Sequence, residues 1–256
     1  MKVVILCGGK GTRMREETEY RPKPLVEIGG KPILWHIMKS YSSYGFKDFI
    51  LCVGYKGEMI KQYFMDMYWR NNDFTIHFNS DRKIEYHTKE DENWNITIIN
   101  TGIETMTGGR LKQVEKYIDD KEFMFTYGDG LSNVNILELL EFHRKKGKIG
   151  TLTGVNPTST FGVMEAKDGI VNSFKEKPIL NDRINGGFMV FNKDIFKYLG
   201  SEDCFFEQEP IKNLAKDKQL AVYEHNGFWT AIDTFKDVEV VNKLWDKGEH
   251  LWSNEE

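Results

Sequence analysis

The sequence predicts an α/β fold, a Rossmann-like, mainly parallel or mixed sheet flanked by helices. Two observations predict it. Short, continuous apolar runs rich in β-branched residues alternate with stretches whose apolar residues recur at helical spacing. The runs are too uniformly apolar for strands with one wet face, which suits a sheet covered on both sides. A third observation separates the halves: after about residue 150 the apolar runs shorten and turns become frequent, which predicts a β-rich second half.

Taken in order, "VVILC" (Val3 to Cys7) reads as a buried parallel strand, followed by a glycine loop. In "GKPILWHIMKSYSSYG", Pro32 suits a first helical turn. Ile33, Leu34, Ile37, Met38 and Tyr41 form an apolar stripe there, and Gly45 is a stop. "DFILCVG" is a second strand, "EMIKQYFMDMYW" a helix and "NITIIN" a third strand. "GGRLKQVEKYI" opens a helix, "EFMFTY" is a buried strand and "NILELLEFHRKKG" a further helix. Beyond it, "IGTLTGV", "FGVMEA", "IVNSFKEK" and "GGFMVFN" read as short strands. Helical patterns follow near Glu207 to Ala215 and Phe235 to Trp245, and the polar "HTKEDENWN" (His87 to Asn95) reads as a surface loop. No linker or repeat interrupts this layout, so residues 1–256 form one domain, with 1–130 as one half and 131–256 as the other.

Composition narrows the function classes. The 256 residues suffice for a core without disulfides, and a net charge of −4 argues against a nucleic-acid surface. Three cysteines at unrelated spacings match neither a zinc site nor a disulfide framework, which suits a reducing cytoplasm. The apolar start is too short for a signal peptide, and no run approaches a membrane span. The six histidines show no metal-ligand spacing.

The segment "LCGGKGTRMREETEYRPKP" has the makings of a phosphate loop. Walker A requires Ser or Thr after Gly-Lys, but Gly9-Lys10 precedes Gly11 and Gly30-Lys31 precedes Pro32. The dinucleotide fingerprint requires a third glycine where Met14 stands, and Pro22 and Pro24 leave no clean strand-turn-helix. What remains is chemically pointed. Gly8, Gly9 and Gly11 let backbone N–H groups face an anion, Arg13 offers a fork of donors, and the flanking prolines stiffen the backbone at Lys23. A glycine turn with solvated basic residues is the plain alternative.

The linked pattern L-x-G-G-x-G-T-R, P-K-P-L and G-K-P-I-L resembles the signature of the sugar-1-phosphate nucleotidylyltransferases, with Met14 where Leu is usual. The resemblance implies the nucleotide-diphospho-sugar transferase type of fold. In that family a sugar 1-phosphate oxygen attacks the α-phosphorus of a nucleoside triphosphate. The nucleophile is already anionic, so catalysis rests on positioning and charge neutralisation. Arg13 and Lys23 are then catalytic, and Leu6, Gly8, Gly9, Gly11, Thr12 and Gly128 lie against the nucleotide. Two acids should hold a Mg²⁺. Asp129 in "FTYGDG" follows a buried strand, although Asp-Gly also suits a plain turn. Asp233 follows the aromatic "GFWTAI", although Asp233 or Thr234 could simply cap the next helix. The resemblance assigns both to the metal. On the sugar-phosphate side, "FKEKP" implies Glu176 on sugar hydroxyls and Lys177 on the phosphate, a polar turn being the alternative. "INGGFMVF" and "FGVMEA" imply sugar contacts from Asn185, Gly186 and Gly162.

Further stretches resemble the branch of the family that joins CTP to α-D-glucose 1-phosphate, giving CDP-glucose and pyrophosphate. They are "VEIGGKPILWHIMK", "MTGGRLKQV", "FTYGDG", "INGGFMVFN" and "FEQEP". The match is weakest over 69–92 and 182–201. It implies nucleotide contacts from Thr105, Gly108, Gly109 and Arg110, the alternative being a glycine-rich helix start; the acids of "FEQEP" read as structural. A thymidylyl- or uridylyltransferase acting on a hexose 1-phosphate keeps the chemistry and changes the base. A non-catalytic nucleotide-sugar-binding module has no need of Asp129 and Asp233. The resemblance also implies a homo-oligomer, a hexamer being one form, with no appended acyltransferase or β-helix domain. Lys10, Arg15 and Arg21 stand at variable signature positions and read as rim charges.

Overall fold

The computed structural model describes residues 1–79, 82–87 and 92–253; part of the predicted surface loop from His87 to Asn95 lies outside the described residues. The central sheet has eight strands. Seven run in the order Ile184–Asn185, Gly150–Val155, Met189–Asn192, Glu122–Tyr127, Lys2–Cys7, Asp48–Val53 and Asn95–Asn100. Leu220–His225 pairs with Gly150–Val155. The four strands of the first half are mutually parallel, and Met189–Asn192 pairs antiparallel with Glu122–Tyr127. The predicted mixed sheet is therefore observed, and both halves of the chain build it.

Each face of the sheet carries its own core. Val3, Ile5 and Cys7 point to one side and Val4 and Leu6 to the other, as the pleat requires. The first side packs against the Ile33–Ser43 helix through Ile33, Leu34, Ile37 and Met38, and the second against Leu111, Phe196 and Phe206. Pro32 does not enter the helix. It stands at the N-cap with extended backbone, and Gly45, at φ +87°, turns the chain beyond the C-terminus. Asn135 caps Ile136–Lys146, accepting from the N–H groups of Leu137 and Glu138.

Two elements differ from the sequence reading. The helix predicted from Gly108 starts at Thr107 and stops at Gln113, with a 3₁₀ turn at Glu115–Tyr117. The loop after the first strand does contain helical backbone, a 3₁₀ turn at Thr12–Met14 and one α-turn at Arg15–Thr18. The Thr18 hydroxyl bonds the carbonyls of Gly11 and Met14, which ends that turn before Pro22. Val163–Lys167 and Ile170–Lys175 form a separate hairpin.

Candidate active site

The carboxyl ends of the parallel strands face one cleft of 520 Å³. Successive strands step outward from Lys2–Cys7 in one direction, while Glu122–Tyr127 lies on its other side. The cleft opens at that reversal, where open α/β sheets bind ligands. The loop from Gly8 to Arg13 forms one wall, Ile103 to Thr107 another, and Tyr127, Gly128, Asp129 and Asp233 the end.

Sheet pairing brings the two predicted metal acids together. Gly130–Ser132 pairs antiparallel with Trp229–Ala231, and the Ile232 N–H donates to the Asp129 carbonyl at 2.9 Å. Asp129 and Asp233 thus flank one short ladder. The alternative reading of Asp233 as a cap is excluded, since Thr234 caps the last helix in a capping box with Asp237. Lys23, in a 3₁₀ turn between Pro22 and Pro24, reaches both acids. Its Nζ donates to Asp129 Oδ2 and to Asp233 Oδ1, each at 2.7 Å, and Arg13 bonds Asp233 Oδ2 at 2.7 Å.

The electrostatics follow from this geometry. Burial favours the neutral amine of Lys23, but the two carboxylates outweigh it and its pKa is raised. Burial would likewise raise Asp233, but Lys23 and Arg13 hold it below the ordinary carboxylate range. Arg13 is 75% exposed against 11% for Lys23, so Lys23 is the fixed charge and Arg13 the adaptable one. Burial pushes the Cys7 thiol well up and Cys52 to about 12, which removes both as nucleophiles at neutral pH.

The glycines divide by role. Gly9 lines the cleft, and a Cβ there would meet nothing within 4 Å. A Cβ on Gly8 would fall 2.1 Å from Arg110 Nη1, and one on Gly128 2.7 Å from the Leu6 carbonyl. Arg110, expected at the nucleotide, lines the cleft and is 4% exposed. Its guanidinium donates to the carbonyls of Val53, Gly8, Gly102 and Ile103 and to Thr101 Oγ1, bracing the loops of both walls. The N–H groups of Gly108 and Gly109, residues expected at the nucleotide, both donate to the Cys204 carbonyl. Their missing side chains admit the 202–206 segment. Thr105 and Thr12 do line the cleft.

The sugar-side residues are placed apart. Gly162, Glu176 and Lys177 lie at the base of the exposed hairpin, outside the cleft lining, with Gly162 beside Glu176. Asn185 does reach the end wall, donating to the Tyr127 hydroxyl at 3.3 Å. Gly186 packs under Trp229, whose indole N–H donates to its carbonyl. Sequence reasoning missed Tyr127 and Glu207, bonded at 2.7 Å, and the Lys10–Glu104 pair across the cleft mouth. Glu207 stands in the "FEQEP" stretch, but its partners are remote in sequence.

The fold accords with the comparisons. A family model, Nucleotidyl transferase, matches residues 2–248, and the chain belongs to that family. Within it, the chain is 51% identical over 253 residues to "Probable glucose-1-phosphate cytidylyltransferase" of Bacillus subtilis (strain 168), covering 98% of this chain and 99% of the relative. It is 48% identical over 254 residues to the glucose-1-phosphate cytidylyltransferase of Salmonella typhimurium, covering 98% of each. A solved structure described as a glucose-1-phosphate thymidylyltransferase from Bacillus anthracis superposes with a TM-score of 0.70 over 95% of each chain; at 16% identity it shows the fold alone.

Proposed function

We propose that the protein transfers a cytidylyl group from CTP to α-D-glucose 1-phosphate, giving CDP-glucose and pyrophosphate. The observation that carries the chemistry is the meeting of Lys23 with Asp129 and Asp233 at the carboxyl edge of the sheet. The near-full-length relatives named for CTP and glucose 1-phosphate support the choice of substrates.

A phosphate oxygen of the sugar attacks the α-phosphorus, the bond from that phosphorus to the bridging oxygen breaks, and pyrophosphate leaves. Lys23 and Arg13 lie where negative charge gathers and offset repulsion between two anionic substrates. Gly9 lets triphosphate pass close to backbone, and Thr105 and Thr12 line the nucleotide side. Glu176 and Lys177 are assigned to the sugar phosphate by sequence resemblance. The division into a nucleotide half, 1–130, and a sugar-phosphate half, 131–256, belongs to the same reading, with Asp233 crossing back to the nucleotide.

The acids fit a divalent cation, Mg²⁺ in this reading. Their oxygens converge on one point, where the Lys23 ammonium acts as a stand-in cation. Among the described residues no group of three or more His, Cys, Asp and Glu side chains could hold a metal. Two carboxylates with phosphate and water making up the remainder is the usual Mg²⁺ arrangement. Such an ion supplies charge neutralisation and in-line alignment of the triphosphate.

The protein is proposed to be a cytoplasmic homo-oligomer, its free cysteines suiting a reducing compartment. Exposed Met65, Tyr68, Trp69, Ile76 and Phe78 suit an oligomer contact. Pyrophosphate release from CTP and glucose 1-phosphate tests the chemistry. Asp129→Asn should lower turnover about 10²- to 10³-fold with the fold intact, as loss of a transition-state charge partner does. Wild-type turnover in that variant, or in excess chelator, contradicts the assignment.

A further inference from the structure

Tyr127 ends the strand that leads into Gly128 and Asp129, and it lines the cleft. Its hydroxyl is held from two sides, donating to Glu207 Oε1 at 2.7 Å and accepting from Asn185 Nδ2 at 3.3 Å. The other Glu207 oxygen, Oε2, accepts from Thr107 Oγ1 at 2.7 Å. Thr107 also lines the cleft, and its hydroxyl oxygen accepts the Phe206 N–H at 2.9 Å. Glu207, itself exposed, therefore ties two walls of the cleft together.

The chemistry of this chain has a direction. A carboxylate accepts and cannot donate, so both hydroxyl hydrogens must point at Glu207. The Tyr127 oxygen then turns only acceptor capacity away from Glu207, and Asn185 takes part of it. The Asn185 amide is oriented too, because its Oδ1 accepts the Gly187 N–H at 3.1 Å. Its Nδ2 therefore carries a second hydrogen beside the Tyr127 oxygen. One acceptor and one donor side by side are the complement of a hydroxyl, which gives one hydrogen bond and takes another.

We infer that Glu207 is a positioning residue for the sugar 1-phosphate: it fixes the polarity of a Tyr127–Asn185 pair that reads one sugar hydroxyl. The inference rests on the proposed use of a sugar 1-phosphate and adds two residues to it. A site built around an oriented hydroxyl rejects a substrate lacking that hydroxyl, because its own groups are left unpaired. Tyr127 and Thr107 use separate oxygens of Glu207, so glutamine, whose second head atom is an NH₂ donor, can accept from only one of them in this geometry.

The test is steady-state kinetics on the full chain with CTP, glucose 1-phosphate and its monodeoxy analogues. Glu207→Gln should raise KM for glucose 1-phosphate about tenfold while KM for CTP and kcat stay within about twofold. Glu207→Asp, which keeps an acceptor-only group, should recover part of the loss. Tyr127→Phe should match Glu207→Gln without changing any carboxylate. One deoxy analogue should be penalised in the wild type and no longer penalised in Glu207→Gln or Tyr127→Phe. The inference is overturned if Glu207→Gln leaves KM for the sugar unchanged, shifts both KM values in parallel, or keeps every analogue penalty. A wild-type protein that does not use glucose 1-phosphate overturns the functional reading itself, which the wild-type arm reports separately.

Discussion

Lys23 joins the two acids of the cleft, with its Nζ 2.7 Å from an oxygen of each. Its place in the P-K-P element pointed to a held cation, and the prolines that fix its backbone were visible in sequence. Its two carboxylate partners, 106 and 210 positions away, were reached only through family resemblance. Arg110 is a second case: it lines the cleft, as its place near a glycine-rich helix start suggests, but its buried guanidinium also donates to five protein oxygens. Sequence carries no direct sign of such burial. The place of Lys23 has a measurable consequence. Its ammonium occupies the point where the two acids converge, so a divalent ion must compete with it. Lys23→Met should therefore bind Mn²⁺ about tenfold or more tightly in the absence of nucleotide, read by the loss of free-ion EPR signal. Equal or weaker binding contradicts this placement of the lysine.

At the scale of elements, periodicity served well wherever one face had to be buried. The Asn95–Asn100 and Glu122–Tyr127 strands and the Ile136–Lys146 helix fall where apolar runs and helical spacing put them. Periodicity served less well where side chains decide the backbone, as at Thr18, which closes the short turn after the glycine loop. The Ile33–Ser43 helix adds a pH-dependent element. His36 is buried among Trp35, Trp245 and Trp252, accepts from the Trp252 indole and bonds the Ile28 carbonyl. Burial lowers its pKa to about 4, below the unfolded value of about 6.5. The unfolded chain therefore takes the proton first, and this contribution to stability falls as pH drops from about 6.5 toward 4. By pH 4.5 the loss should reach about 2–3 kcal/mol. Urea unfolding of wild type and His36→Gln at pH 7.5 and 4.5 checks it. The wild type should lose that much more than the variant, and parallel losses contradict the assignment.

For the whole molecule, the order of strands explains why the site stands where it does. The glycine loop and Asp129 follow neighbouring parallel strands, and the last third of the chain returns Asp233 through a two-stranded ladder. That long-range closure was invisible to local reading, whereas the alternation that builds the parallel half was plain. The proposed selection of CTP is likewise a property of the whole cleft, since base recognition depends on several walls at once. The most direct test offers the protein an equimolar mixture of CTP, UTP, dTTP and GTP with Mg²⁺ and glucose 1-phosphate, and resolves the products by mass spectrometry. CDP-glucose is expected as the dominant nucleotide sugar, formed with stoichiometric pyrophosphate. Predominant UDP-glucose or dTDP-glucose would contradict the cytidylyl assignment, and no nucleotide sugar at all would contradict the proposed reaction.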